Sequence, residues 1–168
     1  MIFLFTGDGK GKTTSAIGMG VRAVGAGRKV LMIQFMKSGD SSEIKTIKEM
    51  DNFQVESFGG KKFIDKNNNS KEDLLLAKKA FERTKKAVKK GECDLLILDE
   101  IAIALYFDLL DSKEILSFLK ENGKKMDIVL TGRKCPEEIK EIADLATECR
   151  EVKHYYSKGV MPRKGIEY

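Results

Sequence analysis

Short apolar runs alternate with longer amphipathic stretches along the whole chain, and no repeat or low-complexity tract interrupts them. Six runs read as strands: Ile2–Thr6, Lys29–Phe35, Phe53–Ser57, Leu95–Asp99, Ile128–Thr131 and Glu151–His154. Several are unbroken apolar segments, as strands are when a parallel sheet is covered on both faces. The stretches between them carry readable helix ends. Ser70 caps Lys71–Lys90, with Asp73 at the third helical position, Gly91 as the stop, and Leu74, Ala77, Phe81, Thr84 and Val88 as the apolar stripe. Asp111 and Glu114 open a helix that closes at Asn122-Gly123, and Pro136 stands in the first turn of another, ahead of Ile139, Ile142 and Ala143. Strands alternating with helices predict an α/β domain with right-handed crossovers. Gly59–Ser70 and Tyr155–Tyr168, with their Gly, Asn and Pro breakers, read as mobile loops.

A length of 168 residues predicts one domain spanning 1–168, and 42% hydrophobic with 34% charged residues excludes wholesale disorder. No apolar run approaches the ~18–20 residues of a membrane span. Met1–Phe5 lacks a basic flank and stops at Thr6-Gly7, too short for a signal peptide. Cys93, Cys135 and Cys149 form no C-x-x-C pair, so free thiols in a reducing cytoplasm are expected. The net charge of +5 alone admits nucleic acid or an anionic small molecule. The chain carries no RNP, zinc-finger or helix-turn-helix signature, and an anionic small molecule fits the charge equally well.

Which anion is indicated by Thr6-Gly7-Asp8-Gly9-Lys10-Gly11-Lys12-Thr13-Thr14, directly after an apolar strand and before a helix. Its glycines let successive N–H groups turn inward on phosphate oxygens, and the helix N-terminus adds partial positive charge. Lys12 reaches terminal phosphates and the Thr13 hydroxyl is placed for Mg²⁺; only the first Gly of G-x-x-x-x-G-K-[ST] is replaced, by Thr6. Leu95–Leu98 ends in Asp99-Glu100, a carboxylate pair suited to orienting or ligating the metal. Thr131-Gly132-Arg133 ends another strand, which aims Arg133 at the same crevice. Arg22, nine residues beyond Thr13, is either a phosphate ligand or a solvated charge. His154 reads as a structural hydrogen-bonding residue, and Tyr106 and Phe107 as core or dimer contacts.

The segments GDGKGKTTSAIGMGVRAVGAGRKV, DLLILDEI, VLTGR and ADLATECREVKHYYSKGVMPRKGIEY together resemble the ATP:corrinoid adenosyltransferases of the CobA/CobO/BtuR type, from the first strand to the last residue. The resemblance implies a P-loop NTPase fold with a RecA-like, mostly parallel sheet and helices on both faces. It implies transfer of the 5′-deoxyadenosyl group of ATP to a reduced Co(I) corrinoid, with inorganic triphosphate leaving. Carried over by motif, Gly7–Thr14 and Arg22 hold ATP, Thr13 and Glu100 hold Mg²⁺ or Mn²⁺, and Lys12 and Arg133 neutralise the leaving triphosphate.

In the family, aromatic side chains beneath the corrin strip its lower axial ligand. Phe58 and Phe63, in Ser57–Ile64, are the candidates here, with ordinary packing as the competing reading. Lys61-Lys62 lies within that segment and is placed to steer an anionic ligand or a reductase. Two departures stand out: the chain has no Trp, and it starts at the first strand without the arm some members carry. A homodimer and an electron donor such as flavodoxin or reduced flavin are implied by the family alone. Two other classes stay open on the residues: a small-molecule P-loop kinase or NTPase releasing ADP, and a nucleotide-gated regulator with negligible turnover. The closing VKH…G…GIEY string is the feature that neither requires.

Overall fold

The computed structural model describes residues 1–60 and 70–167. In chain order the elements are β1 (Ile2–Thr6), α1 (Lys12–Gly25), β2 (Val30–Phe35), α2 (Ser42–Lys48), β3 (Phe53–Phe58), α3 (Lys71–Lys90), β4 (Leu95–Asp99), α4 (Ile101–Tyr106), α5 (Ser112–Asn122), β5 (Asp127–Thr131), α6 (Glu137–Ile142) and β6 (Leu145–Glu148). A 3-10 turn follows at Tyr155–Lys158. The strands form one sheet in the order β3-β2-β4-β5-β1-β6, and every pairing is parallel. All six carboxyl ends therefore lie on one edge. β5 stands between β1 and β4, the arrangement expected of a RecA-like sheet.

Alternation along the strands divides the interior in two. Leu31, Ile33 and Phe35 of β2 join the core made with α3, α4, α5 and α6. Val30 and Met32, one residue out of phase, join Ala16 and Ala23 of α1 and Ile44 and Ile47 of α2. The sheet is thus covered on both faces, which is why its central strands are continuous apolar runs.

α3 begins with a capping box: the Ser70 hydroxyl accepts from the Asp73 amide, and the Asp73 carboxylate accepts from the Ser70 amide. Gly91, at φ 64°, ends the helix in the left-handed conformation. The buried row is Ala77, Ala80, Phe81, Thr84 and Ala87. Leu74 has the right phase but precedes the packed cluster and is 38% exposed, and Val88 sits half-buried at the row's flank.

The last strand differs from the expectation. It is Leu145–Glu148, and Glu151–His154 is not a strand; Val152 within it is 88% exposed. The physical reason is that an edge strand is held by main-chain pairing to β1, from Phe3↔Leu145 to Thr6↔Glu148, and all four of its residues are exposed. Burial imposed no pattern there. The helix α2 was also unforeseen: it is too short for a repeating period, yet buries Ile44 and Ile47. Pro136 takes the N-cap position of α6, one residue before the helix. Among the described residues no helix is long and apolar enough to cross a membrane.

Candidate functional site

The loop from β1 to α1 runs along the carboxyl edge and is laced to the chain leaving β6. The Gly9 amide donates to the Cys149 carbonyl at 2.6 Å, and the Cys149 amide donates to the Thr6 carbonyl at 2.7 Å. A Cβ on Gly9 would lie 2.7 Å from both the Cys149 carbonyl oxygen and the Arg150 carbonyl carbon, so only glycine fits against that backbone. Thr6, where the usual motif has Gly, uses its hydroxyl to donate to the Gly132 carbonyl at 2.9 Å. The loop is thereby tied to the segment carrying Arg133.

Asp99, at the end of β4, has no exposed surface and accepts from four side chains. Its Oδ1 receives the hydroxyls of Thr13 (2.8 Å) and Thr131 (2.7 Å), and its Oδ2 receives Gln34 Nε2 (3.0 Å) and Lys37 Nζ (2.8 Å). Ser57 in turn donates to Gln34 Oε1 at 2.8 Å, which fixes the amide's orientation. The same Thr131 hydroxyl accepts from the Glu100 amide at 2.9 Å. That contact holds Glu100 at φ 63°, a left-handed conformation that turns its carboxylate toward the loop. Burial raises the Glu100 pKa above the usual carboxylate value, and the neighbouring Asp99 charge adds to this against Lys37 and Lys12.

Lys12 is buried and its ammonium donates to the Gly9 carbonyl at 2.6 Å. Burial lowers its pKa, and the charge of Arg133 pushes the same way. For Lys37 burial acts downward too, but Asp99 and Glu100 outweigh it and hold the ammonium above the ordinary lysine value. A cavity of about 630 Å³ opens here, walled by Lys10–Thr14, Lys37, Glu100 and Arg133, with Ile17 and Thr46 on one side and Ile166 on the other. That volume suits a nucleotide-sized ligand. Over it lies the C-terminal segment: Lys10 Nζ donates to the Ile166 carbonyl at 2.7 Å and pairs with Glu167, which also takes Arg163 and the Tyr155 hydroxyl.

Of the residues expected from sequence, Lys10, Gly11, Lys12, Thr13, Thr14, Glu100 and Arg133 line this one cavity. Thr6, Gly7 and Asp8 line a smaller depression behind the loop, beside Glu148. Arg22 is not brought to the cavity; it is exposed in the last turn of α1. Nine residues at 1.5 Å each carry it roughly 13 Å along the helix from Thr13. Phe58, at the end of β3, packs half-buried against the larger core and does not line this cavity. Phe63 and the Lys61-Lys62 pair lie outside the described residues. His154 accepts the Tyr156 amide at Nδ1 (3.1 Å), capping the 3-10 turn. Cys93 and Cys135 are free, their thiols pushed by burial up to about 11 and about 12, which makes them poor nucleophiles.

Lys37, Gln34, Thr131 and the C-terminal cover were missed as site components. Gln34 carried a signal, as the one polar residue in the buried run VLMIQF; a polar group there demands a partner.

A glycine-rich loop between strand and helix, facing a buried carboxylate two strands away on an all-parallel sheet, defines a P-loop nucleotide-binding protein. The chain belongs to the family described as ATP:corrinoid adenosyltransferase BtuR/CobO/CobP, which matches residues 1–168. It is 34% identical over 170 residues to the corrinoid adenosyltransferase of Escherichia coli K12 and 33% identical over 170 residues to corrinoid adenosyltransferase CobA of Salmonella typhimurium LT2; each alignment covers all of this chain and 85% of the relative. A Sinorhizobium corrinoid adenosyltransferase is 34% identical over 171 residues, covering all of this chain and 80% of its own length.

Proposed function

We propose that this protein transfers the 5′-deoxyadenosyl group of ATP to the cobalt of a reduced corrinoid, releasing inorganic triphosphate, in the biosynthesis or salvage of adenosylcobalamin. The observation that carries this, beyond family membership, is the distribution of charge in the 630 Å³ cavity: Lys10, Lys12, Lys37 and Arg133 converge on one polyphosphate-sized space. Ser42 and the carboxylates of Glu43, Glu100 and Glu167 line it as well, fewer acidic groups than the four basic ones. Such a wall suits a reaction in which the substrate cobalt is the nucleophile and the triphosphate is the leaving group. The protein's task is then to bind, orient and absorb charge as the C5′–O bond breaks.

Lys12 and Arg133 take the leaving-group role, Lys12 by releasing the Gly9 carbonyl for a phosphate oxygen. Gly7–Gly11 and Thr14 hold the phosphates through main-chain N–H groups. The Thr13 hydroxyl and Glu100 carboxylate are hard oxygen donors that fit Mg²⁺ or Mn²⁺, which the ATP phosphates would complete; that ion supplies further neutralisation of the triphosphate. Asp99, already saturated by four donors, orients the site and does not ligate directly. A homodimer and a flavodoxin or reduced-flavin electron donor belong to the same reading. Support for the dimer is the set of exposed apolar side chains near the carboxyl end, Leu145, Val152, Tyr156 and Met161.

The decisive experiment is anaerobic incubation with MgATP and chemically reduced cob(I)alamin, following the corrinoid spectrum and the phosphate product. A light-sensitive alkylcobalamin with one triphosphate per turnover is expected. ATP cleaved to ADP regardless of corrinoid would place the protein among kinases or NTPases instead.

A further inference from the structure

The Lys37 ammonium sits at the meeting point of the three side chains expected to surround a metal. It is 2.8 Å from Asp99 Oδ2, 3.1 Å from Thr13 Oγ1 and 3.7 Å from Glu100 Oε1. The Thr13 hydroxyl spends its proton on Asp99 Oδ1, and one of the lone pairs it could offer a cation already accepts from Lys37. Lys37 therefore stands in the space between these groups that a divalent ion would enter.

The backbone is shaped to deliver it there. Met36, directly after β2, lies at φ 59°, a conformation that non-glycine residues rarely adopt. Its amide is held by the Phe58 carbonyl at 3.0 Å, across the β2–β3 pair. A Cβ on Gly59 would fall 2.2 Å from the Lys37 nitrogen and 2.3 Å from the Met36 carbonyl carbon, so the neighbouring chain makes room for this turn with glycine. Strain at one residue and close approach at another both aim one side chain.

We propose that Lys37 is a tethered counter-ion: in the free protein its ammonium holds Thr13, Asp99 and Glu100 together, and the divalent cation arriving with ATP displaces it toward the triphosphate. The inference rests on the metal-site reading above. Two adjacent carboxylates, one without solvent contact, need a cation at all times, and an ammonium and a divalent ion repel too strongly to lie together against Thr13, Asp99 and Glu100. The flexible four-carbon stem lets the displaced group stay on the cavity wall, where polyphosphate is the strongest remaining anion. Free protein thus resists loading with metal alone, and metal enters together with nucleotide.

The test is Lys37→Met in the full chain, with Mn²⁺ binding followed by electron paramagnetic resonance in the absence of nucleotide. The variant is expected to bind Mn²⁺ at least about tenfold more tightly than the wild type, the wild type to bind it weakly, and the gain to vanish in the Lys37→Met/Glu100→Gln double variant. The variant's thermal midpoint should rise with added Mg²⁺ far more than the wild type's. Unchanged Mn²⁺ affinity, or a gain that survives the second substitution, overturns the proposal. Lys37→Gln keeps an N–H donor for Asp99 without the charge; should the Met variant not fold, it must show the same gain, and its failure to do so counts equally against. Glu100→Gln with ATP present separates the two readings. If Mn²⁺·ATP binding weakens there while neither Lys37 variant gains affinity, the metal site stands and the counter-ion role falls. If it does not weaken, the metal-site assignment itself is wrong.

Discussion

Asp99 and Gln34 form a pair of polar side chains with no exposed surface inside an apolar sheet, and their cost is met only because every donor and acceptor finds a partner. Gln34→Leu would strip one donor from Asp99 and one acceptor from Ser57. A loss of about 1–3 kcal/mol in urea denaturation is expected. Lys12→Ala removes the ammonium proposed to receive the leaving triphosphate and should lower adenosyl transfer by about 10²–10³-fold, measured with pre-reduced cob(I)alamin. Of this site the loop, Asp99, Glu100 and Arg133 were legible because their chemistry is tied to fixed positions at strand ends. Lys37 was not: a lysine after a strand looks like any solvated charge, and only the turn at Met36 aims it inward.

Glu167 gives a pH-dependent case. Hydrogen bonds from Arg163 and then Tyr155 hold its carboxyl far below the usual range. A carboxylate depressed in the folded state contributes stability above its unfolded value and loses it as pH falls through the folded one. The C-terminal cover should therefore stay protected through mild acid and open only in strong acid. Glu167→Gln should open it already at neutral pH, read as faster amide exchange across Tyr155–Ile166; identical exchange in the two proteins would discount the contact.

At the scale of elements, α3 was readable because both of its ends obey local rules, and Ser70→Ala should cost about 1 kcal/mol through loss of the capping box. β6 was unreadable because its place is fixed by the main chain of β1, with side chains that face solvent. The misplacement of the last strand by six residues had a functional side: it hid the Cys149–Arg150 backbone on which the phosphate loop leans. Gly9→Ala tests that support. Its Cβ would press on two main-chain groups that cannot rotate away. The variant should lose ATP binding in equilibrium titration while keeping the helical content seen by circular dichroism.

For the whole molecule, the fold was legible because apolar runs alternating with helices leave few ways to cover a parallel sheet. The two-core division follows from strand alternation alone, whereas the covering of the cavity by the last residues does not follow from any local rule. Binding to the native state alone implies a rise in thermal midpoint with MgATP. At a ligand concentration 100 times Kd the gain is about 2.7 kcal/mol, and it should disappear in Lys12→Ala.

The contact between Lys10 and Ile166 joins positions 156 residues apart, and the loop's seat on Cys149 spans nearly as far. During synthesis, then, the phosphate loop has neither seat nor cover until β6 and the segment beyond it have been made. Retention of nucleotide is consequently expected only once those later segments have folded against the loop. A nascent chain stalled before β6 carries the full phosphate-binding motif, yet should pass through a cell rich in ATP without retaining it.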